Sequence, residues 1–213
     1  MALLCSVSGM RIWPALLLLT AAFLLTSCAA AQAGGHYGAD NELGLWAGFS
    51  PQSGSTIGVS PERKFFLGAV RYSRVLKNWR DIGFRYTIDL IPAAVVFQPK
   101  NGFRVLSGGQ REAIYGSGIS PVGLQLNFRR QKALQPFAAT NGGLLYFSRN
   151  VPVPRSSNFN FTFDFAAGAQ YFYRPKRAFS AGYMFHHLSN AETAAQNPGV
   201  DNNIIFGGLS WYW

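Results

Sequence analysis

Hydrophobic and polar residues alternate with a period of two along most of this chain. The clearest case is NFNFTFDF at 158–165, where four phenylalanines share one face and amide, hydroxyl and carboxylate side chains share the other. GFRYTIDL at 83–90 and VGLQLNFR at 122–129 repeat the pattern. Such alternation predicts strands with one apolar and one polar face. No convincing helical periodicity follows residue 33, so the pattern favours an all-β protein.

The alternating segments predict eight strands, most of them about nine residues or longer, which is the length that a tilted strand needs to cross a bilayer. The connections between them alternate between short turns and long loops, an asymmetry typical of outer-membrane barrels. We therefore predict an eight-stranded antiparallel transmembrane β-barrel. The predicted strands lie near residues 42–49, 65–75, 82–91, 119–129, 136–147, 158–172, 178–188 and 203–213, and the predicted long loops at 50–64, 92–118, 148–157 and 189–202.

The polar faces indicate which side of the strands is inside. Arg85, Asp89, Arg129 and Asp164 suit the small polar interior of a membrane barrel, whereas a secreted lipocalin-like barrel would place the apolar faces inside. The last strand ends in an alternating aromatic pattern, with Trp211 and Trp213 on one face. A terminal aromatic of this kind resembles the C-terminal assembly signal of bacterial outer-membrane proteins.

Residues 1–33 are typical of an export signal. A basic residue, Arg11, precedes an apolar segment that ends near Leu25, and small residues suited to cleavage follow at Ala31 and Ala33. The sequence LLTSC also resembles a lipoprotein box with Cys28 as the modified residue, so cleavage near Ala33 and lipidation at Cys28 are both open. In either case we expect residues 34–213 to form the exported barrel.

The amino-acid composition excludes several kinds of functional site. Only 13% of residues are charged, about half the usual share, which agrees with a surface that largely faces lipid. Both cysteines, Cys5 and Cys28, lie in the signal, which excludes disulfides, thiol nucleophiles and cysteine-bound zinc in the barrel. Without the signal the net charge is +9. Nothing resembles a nucleic-acid module, so the basic surface either contacts phosphorylated lipids or is a solvated rim.

The stretch MFHHLSNAETAAQNPGVD, residues 184–201, concentrates polar groups at the predicted outer rim. Strand parity places His187 and Ser189 on the outward face of the seventh strand and returns Asp201 to the same face on the eighth. A serine, an imidazole and a carboxylate can act as nucleophile, general base and orienting group. A merely solvated polar rim is the alternative on these residues alone.

Other polar residues have plainer interpretations. The parity of His186 points it into the barrel, and His36 lies beside the signal as part of a chain end. Glu192 competes with Asp201 as the acidic group, although it does not lie on the returning strand. Arg104 and Arg111 in the predicted loop 92–118 either contact lipid phosphates or are solvated.

The segment HLSNAETAAQNPGVD resembles the signature of the PagL family, the lipid A 3-O-deacylases of Gram-negative outer membranes. The resemblance implies an eight-stranded barrel in which His187 is the base, Ser189 is the nucleophile and Asp201 occupies the acidic position. It also implies that Asn190 and Asn197 lie near the oxyanion. Well-known members have glutamate where this chain has Asp201, and aspartate is shorter by one methylene.

The function implied by the resemblance is that of an outer-membrane serine esterase that hydrolyses the 3-O-linked acyl chain of lipid A. No metal or cofactor is expected. The expected partners are lipid A or lipopolysaccharide in the outer leaflet and outer-membrane lipids, with no nucleic acid and with a homodimer left open. Two alternatives remain at this point: a non-enzymatic structural or adhesive barrel, and an esterase or phospholipase that acts on other lipids.

Overall fold

The computed structural model describes residues 37–100 and 110–213, which fold into one closed antiparallel sheet. Each long strand pairs with the next along the chain, and the first pairs with the last, so the predicted eight-stranded antiparallel barrel is confirmed. An added two-residue strand, β2, pairs with the start of the last strand. The strands are β1 (Asn41–Ser50), β2 (Ser53–Gly54), β3 (Lys64–Trp79), β4 (Ile82–Pro99), β5 (Arg111–Phe128), β6 (Leu134–Val151), β7 (Ser157–Arg174), β8 (Arg177–Ser189) and β9 (Val200–Tyr212).

The described ranges do not include three features discussed from the sequence: the signal at 1–33, His36 and Arg104. In the described residues, no helix has the length and apolar character needed to span a membrane.

Two strands are much longer than the sequence predicts. β4 continues to Pro99 and β5 begins at Arg111, so the predicted bounds of the loop 92–118 are wrong, since residues 92–99 and 111–118 lie in strands. The physical reason is that the register shifts between Ile91 and Ala94 and again next to Pro121. A β-bulge moves the inward side chains from one parity to the other, and proline is tolerated at such sites. The alternation therefore breaks in the middle of each strand.

The two ends of the barrel differ. Short turns join β3 to β4, β5 to β6 and β7 to β8, at residues 80–81, 129–133 and 175–176. The opposite end, here called the long-loop end, carries the connections at 55–63, 152–156 and 190–199, and it is where β4 ends and β5 begins. The predicted loop 148–157 is shortened because β6 continues to Val151. This asymmetry is the one expected of an outer-membrane barrel, with the long-loop end outside.

Between the bulges, the inner and outer faces of the strands follow the predicted parity; the prediction that Arg129 lies in the interior is wrong, because β5 ends at Phe128 and Arg129 is exposed in the turn. Leu124 and Phe165 are exposed on the outer wall, while Gln125 and Asp164 are buried inside. The interior near the long-loop end is apolar, and the half near the short turns is polar. The apolar part contains Phe65, Leu67, Val96, Ile114, Leu145, Phe147, Met184, Leu188 and Ile204.

Ion pairs and hydrogen bonds fill the polar half of the interior. Arg71 donates to both carboxylate oxygens of Asp89, at 2.8 Å from Nε and 2.7 Å from Nη2. Glu42 accepts hydrogen bonds of 2.7 Å from the hydroxyls of Ser73 and Ser210, and its carboxylate lies 3.4 Å from Nε of Arg85. These buried charges are compensated by partners, as burial requires.

Arg71→Ala is expected to lower the free energy of unfolding by about 3–5 kcal/mol, because it leaves the Asp89 carboxylate buried without its cation. Urea unfolding of the barrel in lipid vesicles, followed by tryptophan fluorescence, measures the change. The matched control is Arg74→Ala, since Arg74 lies three residues further along β3 and is exposed. Equal stability of the two variants would contradict this account of the interior.

Candidate active site

His187 and Asp201 form a buried pair on the outer wall at the long-loop end. They are directly paired residues of β8 and β9, and Nδ1 of His187 lies 2.6 Å from Oδ1 of Asp201. Parity places both side chains on the outward face with Tyr183 and Ile205, which are exposed. The imidazole packs on the ring of Phe163, with 5.1 Å between ring centroids. The pair is nonetheless covered, since His187 is 6% exposed and Asp201 is fully buried.

The residues that cover Asp201 come from the first loop, at 55–63. Its second carboxylate oxygen, Oδ2, accepts hydrogen bonds from three consecutive backbone N–H groups, at 2.7 Å from Thr56, 2.6 Å from Ile57 and 3.0 Å from Gly58. Successive backbone donors of this kind form an anion-binding nest. The carboxylate is thus held on one side by the loop and presents its other oxygen to the imidazole.

Two glycines allow the first loop to approach the last loop, at residues 190–199. A Cβ on Gly58 would lie 2.8 Å from the carbonyl carbon of Gly199, which is too close for any side chain. Gly199 itself has φ of +60°, and a Cβ there would lie 2.9 Å from Cε1 of His187. The left-handed backbone and the close imidazole both require glycine at position 199. The backbones are joined directly by a 2.7 Å hydrogen bond from the Val59 N–H to the Pro198 carbonyl.

Ser189 is the last residue of β8 and has the same parity as His187. It pairs with Phe161 on β7, which is exposed on the outer wall. In the described part of the chain the imidazole hydrogen-bonds to Asp201 and not to Ser189. Ser189 is half-buried on the same wall as His187. Catalytic hydrogen bonds are often made only when substrate binds.

Asn190 and Asn197 are brought together in the last loop, where they hydrogen-bond to each other. The Asn190 N–H donates to Oδ1 of Asn197 at 2.9 Å, and Nδ2 of Asn190 donates to the Gln196 carbonyl at 2.8 Å. Nδ2 of Asn197 donates to Glu192 at 3.1 Å. Both donors expected near an oxyanion thus have partners within the loop, which they close. Glu192 is part of this closure, and the carboxylate that meets His187 belongs to Asp201.

The remaining sequence candidates lie apart from this pair. His186 points inside, where it is 2% exposed and stacks on Phe65 with 5.2 Å between ring centroids. Arg111 is the first residue of β5 and donates to the Glu62 carbonyl. Among residues 37–100 and 110–213, no group of three His, Cys, Asp or Glu side chains could hold a metal ion.

The first loop is the part of the site that sequence reasoning missed. Its contribution comes from backbone N–H groups, which carry no side-chain signature, and it lies more than 140 residues before Asp201 in the chain. The one available signal was Gly58 in the segment STIGVS, and a lone glycine in a loop is too common to identify a contact.

Known proteins are similar to this chain both in sequence and in fold. The family model described as lipid A 3-O-deacylase (PagL) matches residues 67–210, more than half of the chain. No curated protein matches. The crystal structure of the outer membrane enzyme PagL is similar with a TM-score of 0.53 and 15% identity, covering 78% of this chain and 97% of that one. Neisserial surface protein A (NspA) is similar with a TM-score of 0.50 and 14% identity, covering 81% and 97%.

The two solved structures share the barrel fold with this chain, and the family match includes β8 and most of β9, on which His187, Ser189 and Asp201 lie. The resemblance seen in the sequence is thereby confirmed. This chain belongs to the lipid A 3-O-deacylase (PagL) family of outer-membrane β-barrels.

Proposed function

We propose that this protein is a serine esterase that removes the 3-O-linked acyl chain of lipid A. The observation that carries the proposal is the His187–Asp201 hydrogen bond of 2.6 Å on the outer wall, with Ser189 two residues away on the same face. Polar and ionisable groups on a lipid-facing wall are costly and are usually functional. A site at this height faces the region where the sugars of lipid A carry their ester-linked chains.

In the proposed mechanism, Oγ of Ser189 attacks the carbonyl carbon of the ester while Nε2 of His187 accepts its proton. The tetrahedral intermediate then expels the 3-hydroxyl of the sugar, which takes the proton back from His187. Water, deprotonated by the same imidazole, then attacks the carbonyl carbon of the acyl-serine ester; the bond to Oγ of Ser189 breaks, the imidazolium returns the proton to Oγ, and the fatty acid leaves. Asp201 keeps the proton of neutral His187 on Nδ1, so that Nε2 is the basic nitrogen, and it stabilises the imidazolium that forms.

The developing oxyanion needs hydrogen-bond donors. Nδ2 of Asn197 is the better placed of the two asparagine donors, because its present partner, Glu192, is exposed and its hydrogen bond is readily exchanged. The Asn190 N–H is held by Oδ1 of Asn197, so it becomes free only if the Asn197 amide rotates. Loss of one such donor typically costs about 100–1,000-fold in rate.

Mass spectrometry of lipid A tests the proposal. A Gram-negative host that lacks this activity is given the wild-type chain, the Ser189→Ala variant or an empty vector. We expect loss of one 3-linked hydroxyacyl chain only with the wild type. Identical spectra for wild type and variant would reject the esterase. Purified protein is then offered lipid A and phospholipid in the same vesicles, and preferential phospholipid cleavage would reject the substrate assignment.

Gly199→Ala is expected to lower kcat by about 100-fold, because the new Cβ pushes the imidazole out of position and a misplacement of about 1 Å costs that much. Hydrolysis of lipid A in detergent measures the rate. Gly207→Ala is the matched control, since its Cβ would have no neighbour closer than 3.6 Å. A Gly199→Ala enzyme as active as this control would contradict the assigned role of His187.

A further inference from the structure

The first loop exposes two aliphatic side chains next to the catalytic residues. Ile57 and Val59 are 56% and 62% exposed, while the intervening Gly58 and the following Ser60 are buried. The segment therefore alternates like a strand, with Gly58 turned toward the barrel and the two aliphatic side chains turned away from it. Side chains of this size are unfavourable in water unless something covers them.

The hydrogen bonds of this loop decide which surface it lies on. Its N–H groups bind Asp201, whose side chain is on the outward face of β9. The loop thus lies against the outer wall of the barrel and not across its opening. Ile57 and Val59 point away from that wall, on the segment whose N–H groups hold the carboxylate that pairs with His187.

Apolar surface continues on the other side of the pair. Phe161 lies across from Ser189 on β7, and Ile205 lies below Asp201 on β9; both are exposed on the outer wall. The nucleophile is therefore flanked by hydrocarbon-like surface from β7 on one side and from the first loop on the other. A substrate with several acyl chains fits such a surface because its scissile ester and its chains lie side by side.

We propose that Ile57 and Val59 form a binding site for an acyl chain of the substrate. This proposal rests on the proposed esterase function. The same short segment donates the backbone hydrogen bonds that hold Asp201. One loop therefore contacts the chain with its side chains and positions the catalytic carboxylate with its backbone. The contact is made in the ground state and in the transition state alike, so it contributes to substrate binding more than to the chemical step.

The double variant Ile57→Ala, Val59→Ala tests this assignment through the split between KM and kcat. It removes five carbon atoms. Burying one such atom changes the equilibrium constant for transfer out of water by about fourfold. With about half of each side chain in contact, KM for lipid A rises on the order of 30-fold. The value of kcat stays within about threefold, because the backbone donors to Asp201 remain and a loss of uniform binding changes KM alone.

Ile119→Ala, Val122→Ala is the matched control, since it removes the same atoms from exposed residues of β5 on the far side of the barrel. Its KM stays at the wild-type value. A first-loop variant whose KM does not change would overturn the proposal. A fall in kcat at constant KM would overturn it as well, because the loop would then only position Asp201.

A second measurement separates this proposal from the esterase itself. Residues 34–213 contain no cysteine, so Ile57→Cys in a Ser189→Ala background places one nitroxide label in protein isolated from outer membranes. In phosphatidylcholine vesicles the label is expected to meet oxygen more often than an aqueous nickel complex. Added lipid A slows its motion, whereas a label at Val122→Cys is unaffected.

The outcomes are distinct. If wild-type protein releases no acyl chain but lipid A still immobilises the label at position 57, the esterase proposal fails and the acyl-chain site stands. A water-exposed label, or one indifferent to lipid A, overturns the site even if the enzyme is active.

Discussion

His187→Gln is expected to lower kcat for release of the acyl chain by about a millionfold, the scale seen when a triad base is removed. Glutamine retains a polar group that can reach Asp201, but it cannot accept a proton from Ser189 at neutral pH. The barrel should remain folded, because the substitution is at the rim and preserves the pairing of β8 with β9. Release of fatty acid from purified lipid A, followed by mass spectrometry over hours, measures a loss of this size.

The neighbouring histidine supplies the control. His186→Gln changes the same residue type one position earlier, but that side chain is buried inside against Phe65. Its kcat should stay within about tenfold of the wild type, while its stability falls because the buried stack is lost. Equal loss of activity in the two variants would contradict the assignment of His187 as the base and of His186 as an interior residue.

Asp201→Asn is expected to lower kcat by about 10,000-fold, as the equivalent change does in serine proteases. The three N–H groups of the first loop require an acceptor, so the asparagine oxygen turns toward Thr56, Ile57 and Gly58. Its NH₂ group then faces Nδ1 of His187 and donates to it, which leaves the proton of the imidazole on Nε2. A protonated Nε2 cannot accept the proton of Ser189. Rates of the two purified proteins on lipid A measure the difference.

Asp201→Glu separates the effect of the carboxylate's charge from the effect of its position. Glutamate keeps the carboxylate, but its extra methylene displaces either the imidazole or the first loop. We expect a loss of about 100-fold, the cost of a misplacement of about 1 Å. Full activity in this variant would mean that the first loop adapts freely and does not fix the position of the acid.

Much of this site was predictable because strand parity acts over short distances in the chain. His187 and Ser189 are two residues apart in one strand, so they share a face whatever the rest of the barrel does. Asp201 follows after a single loop, and the direct pairing of His187 with Asp201 requires only that β8 and β9 form a hairpin. Strand parity also predicts that His186 points into the barrel and that His187 points outward.

The parts that could not be predicted depend on features without a side-chain pattern. The bulges near Pro92 and Pro121 invert the alternation, so β4 and β5 were expected to stop where their registers shift. The sequence predicts Asn190 and Asn197 near the oxyanion but does not predict the hydrogen bonds by which their amides close the last loop. Hydrogen bonds between backbone and amide groups depend on loop conformation, which residue types alone do not specify.

By itself, then, the sequence determined the barrel and the outward face that His187, Ser189 and Asp201 share. Period-two alternation is enough for this, since each residue of a strand has only two faces available. Only the tertiary structure decided how the carboxylate is held, by three N–H groups from a loop more than 140 residues earlier in the chain. That contact arises because closure of the barrel between β1 and β9 brings the first loop beside the last one.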